Sequence, residues 1–209
     1  MRFYEQLTAN NTRDWWHANK AWYEADVREP LEHLLADLAD EFGEAKVFRP
    51  HRDTRFSGNK EPYKPWAAAV IDRDAGAWYM QLGADGLRIA GGCYMPARDQ
   101  LAKLREVIAD DHRGAELVAL VDALRKAGLD VDSRDKLKTA PRGYPVDHPR
   151  IELLRMKGVI ASRAHPPGPW VQTSAFRERV VDDWRTLAPL NDWLDTHVGP
   201  SALEPPTRR

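Results

Sequence analysis

The chain has 209 residues, 43% hydrophobic and 30% charged, and its 31 basic and 32 acidic side chains leave a net charge of -1. These proportions exclude wholesale disorder, and the near-neutral balance argues against a globally basic nucleic-acid coat. A single cysteine excludes an internal disulfide framework.

The length predicts one domain over residues 1–198, followed by a flexible tail over 199–209 that is rich in proline and poor in apolar side chains. No run approaches 18 apolar residues, so no membrane span is expected. The opening MRFYEQLTANN lacks the apolar stretch of a secretory signal, and the cytoplasm is the expected compartment.

Residues 2–9 read as a short helix broken by Asn10 and Asn11, with Asn11 or Thr12 as the cap of the next. From Asp14, the residues Trp15, Ala18, Trp22, Ala25 and Val27 recur at helical spacing. Pro30 either kinks this helix or begins another, whose apolar face runs from Leu31 to Phe42 and stops at Gly43. Helical period is lost at Lys46. Val47–Arg49 and Thr54–Phe56 are short strand candidates, and AAAVID (67–72), AWYMQL (77–82) and LRIA (87–90), separated by Gly-containing turns, predict an antiparallel meander. Helices are predicted from Ala97 and over Gly114–Ala127. A strand-like piece at Leu129 and Val131, a short helix at Ile151–Met156 and a last strand at Val159–Ala161 follow. Thr173 or Ser174 caps a helix through Leu187, and Leu190–Val198 reads as a further one. The expected class is α+β, a central, mainly antiparallel sheet flanked by N-terminal and C-terminal helices.

Charge is concentrated locally. Residues 46–64 carry six basic against two acidic side chains, and residues 134–157 carry seven against three. Each segment is therefore +4, and the rest of the chain is -9. Basic segments in an acidic chain focus a field that draws anions, although each could equally be a solvated face paired with its own carboxylates.

The densest segment is RPHRDTRFSGNKEPYKPW, residues 49–66. An extended Thr54–Phe56 would place Asp53 and Arg55 on one face, with the guanidinium held in a fixed fork by the carboxylate. Ser57-Gly58-Asn59 offers backbone donors, and Lys60 and Lys64 offer point charges. The second segment is PRGYPVDHPR, residues 141–150, where Asp147 or His148 can cap a helix beginning at Pro149. His148 and Glu152, with His51 and Asp53, could also be read as metal ligands, but capping explains the same residues and no metal is assigned. Neither a Walker loop nor G-x-G-x-x-G occurs, and no cofactor is expected. Cys93 reads as a small buried side chain, and Gly91-Gly92 as a bulge or close backbone approach. Most tryptophans read as core, with Trp66, beside the basic loop, as the exception.

These strings together resemble a family of bacterial and fungal proteins known as a domain of unknown function. The likeness rests on Asn10-Asn11, Arg13, Trp15-Trp16, Asn19-Lys20 and Tyr23-Glu24; on Arg52 through Lys64; on Gly91, Gly92, Tyr94 and Pro96; and on Pro141–Tyr144, Asp147–Pro149, Glu152–Arg155 and Lys157. Trp16 stands where the family pattern has Phe, Gly58-Asn59 replace a more polar pair, and Ala90 replaces a third Gly. The resemblance implies one α+β domain that brings these strings together, and it supplies no substrate or reaction.

The expected function is binding of a small anionic ligand bearing phosphate or carboxylate. Arg49, Arg52, Asp53, Arg55, Lys60, Tyr63, Lys64 and Arg142 are the candidate ligand residues, with Asp53 orienting an arginine or serving as a base. The alternatives are an interaction module for nucleic acid or an acidic protein, and a purely structural arginine network. No catalytic residue and no oligomeric state is assigned.

Overall fold

The structure is a computed structural model and describes residues 1–55 and 58–203. Its described residues form α1 (Arg2–Ala9), α2 (Arg13–Tyr23), α3 (Glu29–Asp37), α4 (Ala39–Phe42), β1 (Lys46–Val47), β2 (Trp66–Asp72), β3 (Ala77–Gly83), β4 (Gly86–Cys93), α5 (Arg98–Ala109), α6 (Asp111–Lys126), β5 (Asp130–Asp132), α7 (Ile151–Leu154), β6 (Val159–His165) and α8 (Ser174–His197). The strands make one six-stranded antiparallel sheet in the order β1-β2-β3-β4-β6-β5, so the fold is α+β. The meander is β2-β3-β4. The expected last strand runs on to His165 and sits between β4 and β5. At the edges, Lys46 pairs with Val70 and Val131 with Ala161.

The chain groups into two compact units. The first comprises Met1–Ile71, Tyr79–Ile89 and Ala164–Val180; the second comprises Asp72–Trp78, Ala90–Arg163 and the chain from Val181.

In the first unit, α1 buries Phe3, Tyr4 and Leu7 on one side. Thr12 caps α2 by accepting from the Trp15 N–H at 3.3 Å. Phe3 packs against Trp15, Trp16, Trp22 and Tyr23, with ring centroids 5.2–6.0 Å apart. Helix α2 passes through a single π-turn, Glu24–Arg28, into α3. Pro30 lies in the first turn of α3, where its missing N–H costs little. Helix α4 stops at Gly43, whose φ of 103° suits glycine.

In the second unit, the Asp110 carboxylate caps α6 by accepting from the N–H groups of His112 and Arg113. Helix α8 is continuous through Pro189, where two helices were expected. Trp184, Leu187, Leu190 and Leu194 are fully buried on either side of the proline. Their burial, worth about 1.5–3 kcal/mol for each large side chain, outweighs the one hydrogen bond that proline removes. Gly91 and Gly92 are a close approach: Gly92 has φ 118°, and a Cβ there would collide with the Val159 carbonyl. The stretch expected to be a loose tail begins tied down. Gln100 donates to the Gly199 carbonyl at 2.9 Å, and Asp99 accepts from the Ser201 hydroxyl at 2.8 Å and from the Ala202 N–H at 2.7 Å. The remainder, 204–209, lies outside the described residues.

Candidate anion-binding site

The basic loop belongs to the first unit, and its own backbone closes it. Arg52 N–H donates to the Pro62 carbonyl and Lys64 N–H to the Pro50 carbonyl, both at 2.8 Å, with His51 bridged to Tyr63 in antiparallel fashion. Two lysines staple it further. Lys60 Nζ donates to the Thr54 carbonyl at 3.0 Å, and Lys64 Nζ donates to the Arg49 carbonyl at 2.9 Å. The Lys64 ammonium also lies 5.5 Å from the Phe48 ring centroid and 5.1 Å from that of Trp66. Burial, and then the charges of Arg49 and Arg52, lower the Lys64 pKa.

Asn11 fastens this loop to the start of α2. Its amide nitrogen donates to the Tyr63 carbonyl at 2.9 Å, and its amide oxygen accepts from the Tyr63 N–H at 3.2 Å. The Tyr63 ring stacks on Trp16, with centroids 4.2 Å apart and planes 12° apart, and His51 lies 5.1 Å from Tyr63. Tyr63 and Trp16 are only 2% and 3% exposed, so this stack is a buried seam under the loop.

The exposed side of the same junction is cationic. Arg13, His17 and Lys20 stand at i, i+4 and i+7 of α2, which puts them on one helix face. His51 faces this row. Its pKa is lowered first by burial and then by the charges of Arg49, His17, Arg13 and Lys20. Among the described residues, no carboxylate pairs with Arg13, Lys20 or Arg49. Like charges held this way repel one another until a counter-ion arrives.

The sequence candidates therefore divide. Among the described residues, the exposed Arg49 side chain has no partner and that of Arg52 has only a 3.6 Å ion pair with Glu61. Asp53 and Arg55 form the expected fork: Arg55 Nε donates to Asp53 at 3.1 Å and its terminal nitrogen at 2.8 Å. This pairing holds the Asp53 carboxyl at about 2, which suits an orienting anion and makes it a poor base near neutral pH. Thr54 and Arg55 are not strand; Phe56 and Ser57, which complete the predicted strand and turn, lie outside the described residues. Lys60, Lys64 and Tyr63 hold the loop in shape. Sequence reasoning had singled out Arg13 and Lys20 only as parts of the Asn-Asn and Asn-Lys strings and missed His17, although the helical spacing of all three beside Trp16 was a usable signal.

Arg142 is an exposed residue of the second unit, where most of the other basic side chains have structural partners. Arg150 donates to the carbonyls of Ile108 at 2.6 Å and Ala109 at 3.0 Å, capping the end of α5. Arg155 donates to the Leu137 and Lys138 carbonyls, and Arg163 pairs with buried Asp183 and the Ala127 carbonyl. His148 Nδ1 accepts from the Arg150 N–H at 3.0 Å just ahead of α7, which begins at Ile151 rather than at the expected Pro149 and has no side-chain cap. Among the described residues, no group of three or more His, Cys, Asp or Glu is placed to hold a metal. Cys93 is buried, and burial pushes its thiol up to about 12, far from a nucleophilic thiolate.

A cavity of about 790 Å³ in the first unit is lined by none of the eight candidate ligand residues, so the basic cluster occupies exposed surface elsewhere in that unit. No helix among the described residues is long and apolar enough to cross a membrane. A family model, that of the conserved hypothetical protein DUF2461, matches residues 1–193. No curated protein and no solved structure matches the chain.

Proposed function

We propose that this chain, which belongs to the DUF2461 family, binds a phosphate- or carboxylate-bearing anion on the face formed by α2 and the Arg49–Lys64 loop. The observation that carries this reading is the crowding of Arg13, His17, Lys20 and Arg49 around His51 without a pairing carboxylate among the described residues. Clusters that push a pKa by like charge recur at functional sites. Among the described residues the Arg49 guanidinium has no carboxylate partner, which leaves it able to take an oxyanion as a bidentate partner. Asp53 serves the site by fixing Arg55. The proposal is one of binding, with no reaction attached.

A second reading draws on the shape of the cluster. Positions 13 and 20 lie about 10 Å apart along a helix that rises 1.5 Å per residue, and both are exposed. Such a row also suits an extended polyanion, such as a nucleic-acid backbone or an acidic peptide.

A thermal-shift titration tests both. Sulfate at low ionic strength should raise the midpoint of the wild type by mass action. Arg49→Ala and Lys20→Ala should each lose most of that rise. An oligonucleotide effect that outweighs sulfate and falls steeply with salt would favour the second reading. No stabilisation by any anion, or stabilisation unaffected by both variants, would overturn the proposal.

A further inference from the structure

The second unit holds a feature that the anion site does not use. Among the described residues, four large apolar side chains are exposed, and two of them are consecutive: Tyr94 at 56% and Met95 at 66%. Single exposed apolar residues are ordinary on protein surfaces, whereas contiguous ones mark interaction sites. A Cβ at Gly158 would meet the Cys93 carbonyl at 2.3 Å and the Tyr94 carbonyl at 3.3 Å, so the chain at 157–158 presses against the end of β4. Tyr94 and Met95 follow in a bend between β4 and α5, with their side chains in solvent.

Cations border this pair. The Arg134 guanidinium lies 5.6 Å from the Tyr94 ring centroid, and its terminal nitrogen donates to the Met95 sulfur. Lys157 is exposed. Its backbone N–H donates to the Ser133 hydroxyl at 3.1 Å and to the Asp135 carbonyl at 3.0 Å, which holds it beside the same stretch. Among the described residues, neither Arg134 nor Lys157 has a carboxylate partner. Of the acidic side chains in the stretch, Asp132 is paired with Lys136, and Asp135 is exposed. Tyr, Met and Arg are the side chains that protein interfaces favour.

We propose that this face of the second unit docks an acidic segment of a partner protein, with an apolar side chain of the segment against Tyr94 and Met95 and its carboxylates on Arg134 and Lys157. Charge complementarity selects this occupant, because the two cations beside the apolar pair lack counter-charges of their own among the described residues. The Arg134 guanidinium is already held by the ring and the sulfur, so taking a carboxylate costs it little further side-chain entropy. Two cations beside an apolar pair suit a peptide; a nucleic-acid backbone calls for a longer cationic row.

A phage-displayed library of random dodecapeptides, panned against the immobilised full-length protein, supplies the probe. The enriched peptides should carry acidic residues flanking an apolar one. The most enriched peptide, labelled with fluorescein, should bind the wild type saturably in an anisotropy titration. Tyr94→Ala and Arg134→Glu should each weaken that binding about tenfold or more. Lys126→Glu makes the same change in net charge on exposed surface of α6, and it should leave the affinity within about twofold. Circular dichroism of the three variants would establish that they are folded. Enrichment of no acidic peptide would overturn the proposal, as would binding that survives both Tyr94→Ala and Arg134→Glu, or that Lys126→Glu weakens as much as Arg134→Glu does. Dimerisation of the wild type in sedimentation velocity, abolished by Tyr94→Ala, would put a second copy of the chain on this face and would overturn it too.

Discussion

Asn11 and Tyr63, 52 residues apart, are joined by two hydrogen bonds: the Asn11 amide donates to the Tyr63 carbonyl at 2.9 Å and accepts from its N–H at 3.2 Å. A side chain thus supplies to this buried backbone position what a neighbouring strand would supply. The basic loop takes its place beside α2 through this clamp and through the Trp16–Tyr63 stack.

Removing the clamp should therefore cost both stability and binding. Asn11→Ala leaves two polar groups of a 2% exposed residue without partners. The expected loss is about 1–3 kcal/mol in denaturant unfolding, accompanied by weaker sulfate binding, because Arg49 and His51 lose their position relative to α2.

The arginines of the two basic segments should behave oppositely. Arg150 caps the carbonyls of Ile108 and Ala109, so Arg150→Ala should destabilise by about 1–3 kcal/mol. Among the described residues the Arg49 side chain has no partner to lose, so Arg49→Ala should leave the denaturation midpoint near that of the wild type while reducing sulfate binding. Equal destabilisation by the two would favour arginines that only hold the fold together.

The sign of the pH dependence follows from His51. Its folded pKa lies below the ordinary histidine value of about 6.5, because of burial and then Arg49, His17, Arg13 and Lys20. Between the folded and unfolded values the unfolded chain binds more protons, so this group's contribution to stability rises with pH through that window, is lost as pH falls through it, and changes no further below it. A bound anion reverses the preference by favouring protonated His51. Sulfate stabilisation, read as a midpoint shift, should therefore grow as the pH is lowered through the same window, and His51→Gln should flatten the trend.

Two glycines allow a contrast in backbone strain. Gly92 combines φ 118° with a Cβ position that meets the Val159 carbonyl, whereas Gly143 has φ 90° and open space. Gly92→Ala should cost more than about 3 kcal/mol, the sum of left-handed strain and a steric clash. Gly143→Ala should cost about 1–2 kcal/mol. Urea unfolding of the two variants checks the order.

Local chemistry was legible in the sequence where short-range rules decide it. Gly43 as a stop and the β2-β3-β4 meander follow from spacing and turn residues, and the structure selects Thr12 over Asn11 as the cap and places Pro30 in a first turn, one of its two expected positions. What escaped was long-range or cooperative. The insertion of β6 between β4 and β5 depends on pairing with β4 across three intervening helices and β5, which no local pattern encodes. Pro189 signalled a break, but buried Leu187 and Leu190 on either side of it sustain the helix. At the site, the Asp53–Arg55 fork was readable because its partners are two residues apart. The roles of Lys60 and Lys64 were not, because a positive charge count cannot show that both ammonium groups are already bonded to loop carbonyls. Counting charge in contiguous segments also hid Arg13, His17 and Lys20, whose charges are close in space to His51 but distant from it in sequence.

The most direct test of the anion site is the titration of the His51 imidazole by NMR, with and without sulfate, assigned by comparison with His51→Gln. The account predicts a His51 pKa below the ordinary histidine value in the free protein. It also predicts an upward shift when sulfate saturates, reduced in Arg49→Ala. A His51 pKa that is ordinary in the free protein and unmoved by sulfate would contradict it.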